Sequence, residues 1–237
     1  MKNDNVIDIA PLGGGNNITK LVTIKSLDGM EIKGVFKPYE PFNLSANIHS
    51  DVAAYLFDRL LRINLVPMTI IRTIDLDGKK VQGSLMFFVD NTKTANKLAK
   101  EDQIIPAKMK LFDYLIRNWD RRDNPGNYLF EKDKDGNAEP KKSRAIAIDN
   151  SWAFRINDWW HDIEPAGKDA KGKYHGARRA HVPLSKGGVL KLIPDKTTYE
   201  RLKKLTNSEI RNALKSELNF LQINQLIERK NRYIYKV

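Results

Sequence analysis

Two stretches of this chain hold most of the residues whose types suit chemistry. The first is the polar run Asn118-Trp119-Asp120-Arg121-Arg122-Asp123-Asn124-Pro125-Gly126-Asn127, and the second is Asp149-Asn150, which follows the short apolar strand expected over 145–148. A carboxylate in a loop after an apolar helix, an amide a few residues on and a second carboxylate after the next hairpin fit metal-dependent phosphoryl transfer. One carboxylate can orient a hydroxyl and accept its proton. The amide and the other carboxylate offer the oxygen ligands that a hard cation prefers. Taken alone, 120–127 reads equally well as turn-building Asp, Asn and Gly. The pairing with Asp149 carries the chemical reading.

Two further features could serve a phosphorylated ligand. Lys37 ends the alternating stretch Gly34-Val35-Phe36-Lys37-Pro38 and shares a strand face with Val35, a position from which a cation can reach phosphates. By itself, a lysine at a strand end reads first as solvated. The run Gly13-Gly14-Gly15-Asn16-Asn17 can bring several backbone N–H groups to one ligand, although a flexible N-terminal linker is the simpler reading of those residues alone.

The elements that must position these groups follow from periodicity. Alternation over 20–25 and 31–37 around Asp28-Gly29 predicts a hairpin, and a second pair is expected over 68–76 and 80–89 around Asp77-Gly78. Between them, Val52, Ala53, Leu56, Leu60 and Leu61 predict a helix from an N-cap at Ser50 to Arg62. The first ninety residues therefore read as strand, strand, helix, strand, strand. A helix is expected over 107–118, a strand over 128–130, an aperiodic excursion that touches substrate over 158–191, and two or three amphipathic helices over 198–236. The class is α+β, strand-rich at first and mainly helical afterwards.

Composition sets the outer limits. The 237 residues allow one large domain or two small lobes, and 41% hydrophobic content supplies a sizeable core. Lys and Arg number 41 against 29 Asp and Glu, and the resulting +12 favours an anionic substrate or partner without saying which. The absence of cysteine excludes disulfides, thiolate metal sites and a thiol nucleophile. No signal-peptide core and no apolar run of membrane-spanning length are visible, so a soluble, cytoplasmic protein without stable membrane insertion is expected. His161, His175 and His181 lack the spacing of a zinc site and read as exposed or substrate-facing. Trp159-Trp160 beside Arg178-Arg179 could face a membrane or nucleic acid, with packing the simpler role for at least one tryptophan.

Five motifs in order, Gly34-Val35-Phe36-Lys37-Pro38, Asp51-Val52-Ala53-Ala54-Tyr55-Leu56, Asn64-Leu65-Val66-Pro67, Arg117-Asn118-Trp119-Asp120-Arg121 and Ala147-Ile148-Asp149-Asn150-Ser151-Trp152, resemble those of a known group. The group is the atypical kinases of the phosphatidylinositol 3/4-kinase-like superfamily. The nearest resemblance is to the type II phosphatidylinositol 4-kinases and the bacterial kinases related to them and to HipA. The secretory-pathway casein kinases of the Golgi are more distant. The resemblance implies a bilobal protein-kinase-like fold, with an N-lobe over 1–90 and a C-lobe over 91–237, that moves the γ-phosphate of ATP to a hydroxyl with Mg2+ or Mn2+.

By the same resemblance, Gly13, Gly14, Gly15 and Asn16 cover the nucleotide, Lys37 binds its phosphates and Asp51 is the acidic partner of that lysine. Phe88 lies in a hinge over 82–90 that contacts adenine. Asp120 is the catalytic aspartate, and Asn127 and Asp149 hold the metal. The chain departs from the pattern at three points. Asp51 stands where glutamate is usual, Ser151 where glycine is usual, and the loop over 120–127 is longer, which leaves Asn124 and Asp123 as rivals of Asn127 and Asp120. Without a palmitoylation-type cysteine or a long amphipathic anchor, a protein Ser/Thr acceptor is preferred to a lipid. Nucleic acid is admitted as a partner but not preferred. A nucleotide-binding pseudokinase acting as an interaction module is the alternative reading, and transfer of AMP is a variant of the first.

Overall fold

The structure is a computed structural model that describes residues 5–13, 19–40, 47–156 and 196–236, together with the backbone of 167–168 and 174–175. Alternating apolar residues in the first part of the chain build five antiparallel strands, β1 (Asn5–Pro11), β2 (Lys20–Lys25), β3 (Glu31–Pro38), β4 (Thr69–Leu76) and β5 (Lys79–Phe87), in the order β1-β2-β3-β5-β4. The sheet buries Val22, Ile24, Phe36, Ile74 and Leu85 on its apolar face. Strand β1 escapes the period-2 reading because its register against β2 shifts between Val6 and Asp8, which breaks the alternation. Its pairing through Pro11 and Lys20, closed by Leu12 N donating to Thr19 O at 3.1 Å, makes the Gly-rich run part of a connection between paired strands and not an N-terminal linker.

Close backbone approach explains one glycine in this sheet. A Cβ on Gly83 would lie 2.3 Å from Lys37 O and 2.5 Å from the Phe36 ring, so no other residue fits without moving the strand that carries Lys37.

Helix α1 (Ile48–Leu61) begins one turn earlier than its expected cap. Asn47 is the N-cap, with its side-chain oxygen accepting from Ser50 N at 3.2 Å, while the Ser50 hydroxyl is buried and donates to Ala153 O at 3.0 Å. The helix ends at Arg62 in the left-handed region. Asp58 then organises the return, its Oδ1 accepting from Leu65 N at 3.0 Å. Burial pushes the Asp58 carboxyl up from 3.8 to about 6 against the pull of those backbone amides. A raised folded pKa means that its contribution to stability is complete below 3.8 and is lost as pH rises through about 6. Asp58→Asn keeps the acceptor oxygen and removes the titration. The unfolding free energy measured in urea from pH 3.5 to 7 should therefore fall with rising pH more steeply in wild type than in Asp58→Asn, by up to about 3 kcal/mol across the window.

The second part of the chain is layered differently. Strands β6 (Thr92–Thr94), β7 (Tyr128–Glu131) and β8 (Ala145–Ala147) form a small antiparallel sheet in that order. Around it lie α2 (Ala107–Ile116), the single turn α3 (Asp120–Asp123), a 3-10 turn at Pro125–Asn127, and the helices α4 (Lys196–Lys204), α5 (Asn207–Leu214) and α6 (Phe220–Lys236). A capping box starts α5, where Thr206 Oγ1 accepts from Glu209 N at 3.2 Å and Glu209 Oε2 accepts from Thr206 N at 2.7 Å. Most of the excursion expected over 158–191, including Trp159, Trp160, His161, Arg178, Arg179 and His181, lies outside the described residues. Within it, Gly167–Lys168 and Tyr174–His175 pair as two short strands.

The apolar packing does not follow chain order. Helix α1 comes between strands of the first sheet, yet its Ala53, Ala54, Phe57 and Leu61 belong to the larger core with residues of α2, β7 and α4–α6. Phe57 stacks on Phe112 with ring centroids 6.1 Å apart. Through α1, a residue facing the first sheet is anchored to the helical layer. Among the described residues, no helix is long and apolar enough to cross a membrane.

Candidate active site

Lys37 stands near the end of β3 and is buried, not solvated as its strand-end position first suggests. Its Nζ donates to Asp51 Oδ2 at 3.2 Å, Asp149 Oδ1 at 2.7 Å and Ser151 Oγ at 3.3 Å. Three partners match the three protons of an ammonium. Burial alone would pull the Lys37 pKa down, but the charges of Asp51 and Asp149 outweigh it and hold the group above its ordinary value.

Asp51 lies in the first turn of α1 and joins both layers. Its Oδ2 accepts from Lys37 and from Ser84 Oγ at 3.3 Å, and its Oδ1 accepts from Asn150 N at 2.8 Å. Burial pushes the carboxyl up and Lys37 opposes it. We assign the ionised form because a carboxylate is the acceptor these partners need. The side chain is one methylene shorter than glutamate, yet the ion pair with Lys37 forms directly.

Asp149 follows β8 with φ 52, a left-handed conformation that Asp and Asn tolerate better than most residues. Its Oδ1 is shared by Lys37 and by Ser151 Oγ at 2.7 Å, so Ser151 joins the network. Burial raises the Asp149 pKa, but Lys37 and Ser151 overcome this and leave it below the ordinary value. The side chain stays 32% exposed, which leaves it reachable by a ligand.

The turn at Asp149 is braced from behind by Arg121. That guanidinium is fully buried, with Nη1 donating to Ile148 O at 3.3 Å and Nη2 to Asn150 Oδ1 at 2.5 Å. Asn118 Nδ2 also reaches Asn150 Oδ1, at 3.4 Å. Arg121 Nε lies 3.4 Å from Asp113 Oδ2 on α2, an ion contact, and burial pushes the Asp113 carboxyl up to about 7 despite that cation. Arg121→Met strips a buried carboxylate of its counter-charge, Ile148 O of a donor, and Asn150 Oδ1 of the shorter of its two donors. It should cost about 3–5 kcal/mol in urea denaturation, and Arg121→Lys should recover only part, because one ammonium cannot span the same acceptors.

The loop before β7 gives its four candidate residues different surroundings. Asp120 opens α3 and its Oδ2 accepts from Asn127 Nδ2 at 2.6 Å. Burial first, then the charge of Asp149, raises the Asp120 pKa, while the bond from Asn127 lowers it. Asn127 is buried, whereas Asn124 is exposed and accepts from Gly126 N at 3.1 Å to cap the 3-10 turn. Asp123 is exposed and paired with Arg122 at 3.0 Å. Asp120 and Asn127 are bonded to each other within reach of the charge of Asp149, whereas the side chains of Asn124 and Asp123 are exposed. With its nitrogen committed to Asp120, Asn127 keeps its carbonyl oxygen for another partner.

These donors fit a divalent cation. No group of three or more His, Asp or Glu side chains able to hold a metal occurs among the described residues. Mg2+ does not need one, because it is typically held by one or two carboxylates with substrate phosphates and water completing the shell. The Asp149 carboxylate and the Asn127 carbonyl oxygen could supply that protein share. The charges agree, since Lys37 faces the carboxylates of Asp51 and Asp149, and Asp149 acts on Asp120 as well. A nucleotide polyphosphate entering alone would be repelled.

The remaining expected contacts are placed less fully. Gly13 follows β1 with open space where a Cβ would be, while Gly14, Gly15 and Asn16 lie outside the described residues. Phe88 directly follows β5, half-buried, and its N–H is spent on Lys33 O at 3.0 Å. A base next to Phe88 would be met by its ring or its carbonyl, not by that N–H.

No protein-family model and no curated protein matches this sequence. Among solved structures, hydra Fam20, determined with sugar, aligns over 99% of this chain and 86% of its own at 15% identity with a TM-score of 0.60. The fold is bilobal and kinase-like. The Rio2 kinase of Chaetomium thermophilum, in a complex with ADP, Mg2+ and phosphoaspartate, aligns over 89% of this chain and 72% of its own, with 15% identity and a TM-score of 0.31. The FAT and kinase domain of CtTel1 aligns over 98% of this chain and 23% of its own, with 15% identity and a TM-score of 0.32. The last two similarities are too loose to inform the site.

In this kinase-like fold, Lys37 comes from the sheet, Asp51 from the helix between its strands, and Asp120, Asn127 and Asp149 from the helical layer. Sequence reasoning missed Ser84 and Arg121. Ser84 lies on β5 opposite Lys37 in the β3–β5 register, a pairing that no local pattern reveals. Arg121 and Arg122 are adjacent and chemically alike, yet the first side chain is 0% exposed and the second 52%.

Proposed function

We propose that the chain is an ATP- and Mg2+-dependent phosphotransferase acting on a hydroxyl, with a protein Ser/Thr acceptor preferred to a lipid. The observation that carries this reading is the convergence of Lys37, Asp51 and Asp149 on one side with Asp120 and Asn127 on the other, coupled by the charge of Asp149 on Asp120. A kinase-like fold with a solved structural relative at TM-score 0.60 supports it. The phosphatidylinositol 3/4-kinase-like and HipA-like group is the proposed family, and the segment 82–90 is the proposed hinge between lobes.

The chemistry assigned to each residue follows from its surroundings. Lys37 is held protonated and fixed by Asp51, so it presents a positioned positive charge to the α- and β-phosphates. Asp120, with its pKa raised by burial and by Asp149, accepts the proton of the acceptor hydroxyl more readily than an ordinary aspartate. Its bond from Asn127 fixes the carboxylate for that transfer. Asp149 and Asn127 would hold the cation, which would supply neutralisation of the charge on the phosphates. Most of the rate acceleration would come from positioning and charge.

The test is incubation of the purified protein with γ-labelled ATP, Mg2+ or Mn2+, and protein, lipid and carbohydrate acceptors, followed by intact-mass analysis. The carbohydrate belongs in the panel because the hydra Fam20 structure was determined with sugar. Transfer of label is the expected result. Nucleotide-dependent thermal stabilisation without any transfer would replace the kinase with a nucleotide-binding interaction module. Transfer of AMP would change the reaction but keep the site.

A further inference from the structure

A second concavity, apart from the proposed transfer site, is lined by Thr92, Lys93, Thr94, Lys97, Lys132 and Gly136 and encloses about 330 Å³. Small-molecule pockets begin at about that size, roughly 300 Å³. Its three lysines come from three places, β6, the 3-10 turn Ala95–Lys97 and the residue after β7. Lys93 and Lys132 are half-buried and Lys97 is exposed.

Nothing among the described residues neutralises this group. No ion pair reaches any of the three lysines, and the acidic side chains of Glu131, Asp133 and Glu139 are engaged elsewhere. Glu131 pairs with Arg144 at 2.6 Å and Glu139 with Lys142 at 2.7 Å. Asp133 turns its Oδ1 to Asp135 N at 2.9 Å and Asn137 N at 2.8 Å, folding the turn that carries Gly136 at φ 80. Three ammonium groups around one hollow repel each other unless an anion lies between them.

We propose that this concavity binds a small, multiply phosphorylated molecule. A single phosphate would leave most of the volume empty, whereas separate phosphoryl groups can each meet one ammonium from a different element. Thr94, whose hydroxyl has no partner among the described residues, adds a donor at the same wall. A nucleic-acid strand is disfavoured because the lining contains no aromatic side chain on which a base could stack. The site also has a route to the transfer machinery. Strand β6 pairs with β7 through Thr92 and Glu131, and Asn96, in the turn that carries Lys97, packs against Gly126 next to Asn127.

The experiment is calorimetric titration with inositol hexakisphosphate and with inorganic tripolyphosphate, each with and without a nonhydrolysable ATP analogue, and co-sedimentation with vesicles containing phosphatidylinositol bisphosphate, with a short single-stranded RNA as the comparison ligand. Wild type is compared with Lys93→Gln/Lys97→Gln/Lys132→Gln and with the equally neutralised Lys134→Gln/Lys141→Gln/Lys203→Gln. The pocket variant should weaken binding on the order of a hundredfold and the comparator less than about threefold. Soluble probes binding without vesicles assign a free metabolite, and vesicle binding beyond the soluble probes assigns a lipid headgroup. Both outcomes support the shared chemistry. Equal weakening in the two variants, no binding of any probe, retention of RNA alone, or displacement of the probe by a nonhydrolysable ATP analogue would each overturn the proposal. None of these results bears on whether the chain transfers phosphate.

Discussion

Asp149→Ala is expected to abolish Mg2+-dependent nucleotide binding and with it turnover, a loss of at least about a thousandfold, or ~4 kcal/mol. The fold should survive, because Lys37 retains Asp51 Oδ2 at 3.2 Å and is left in a neutral pair instead of an unpaired buried charge. Alanine at φ 52 adds a backbone penalty of about 1 kcal/mol. Asp149→Asn separates the two effects, since asparagine tolerates that conformation and differs mainly in charge. Both variants should lose the Mg2+-dependent part of nucleotide-induced thermal stabilisation, and only the alanine variant should also melt earlier without nucleotide. Wild-type stabilisation and transfer in Asp149→Asn would remove Asp149 from the metal role.

Asp120→Ala is expected to bind nucleotide as wild type does and to transfer about 10²–10⁴-fold more slowly. The reasoning is positional, because Asp120 is bonded to Asn127 and makes no contact with Lys37 or Asp51. Its raised pKa gives a second readout. The acid limb of kcat/KM should lie above the ordinary aspartate range, and activity should fall as pH drops through it, because the protonated carboxyl cannot accept a proton. Asp123→Ala is the control, its exposed carboxylate being paired with Arg122. Full transfer by Asp120→Ala together with loss in Asp123→Ala would move the base to the rival position.

The legibility of the fold varied with how local the signal was. Strands β2 to β5 and helices α1 and α2 are readable because hydrophobic period alone specifies them, with ends shifted by at most two residues except at the start of α1, which lies three residues earlier. Ser50 and Asn47 are both residue types that cap helices, and only the hydrogen bond from Ser50 N places the cap of α1 at Asn47. Strand β1 was hidden by its register shift, and without it the glycine run looked like a tail.

For the candidate site, the sequence by itself determined which chemical groups are available. There is no thiol, there are carboxylates and amides in two polar turns, and a lysine sits on an apolar strand. Those facts already excluded thiol chemistry and made a hard-cation, phosphate-directed site the strongest reading. Tertiary structure alone decided burial and partnership. It put Lys37 inside a triangle of Asp51, Asp149 and Ser151, drawn from positions up to 114 residues apart. It turned Asn127 inward and Asn124 outward within one short loop, and it buried Arg121 beside an exposed Arg122. The reason is physical. A side chain's type fixes what it can donate or accept, but its pKa and its availability depend on desolvation and neighbouring charge, and only packing between distant elements sets those.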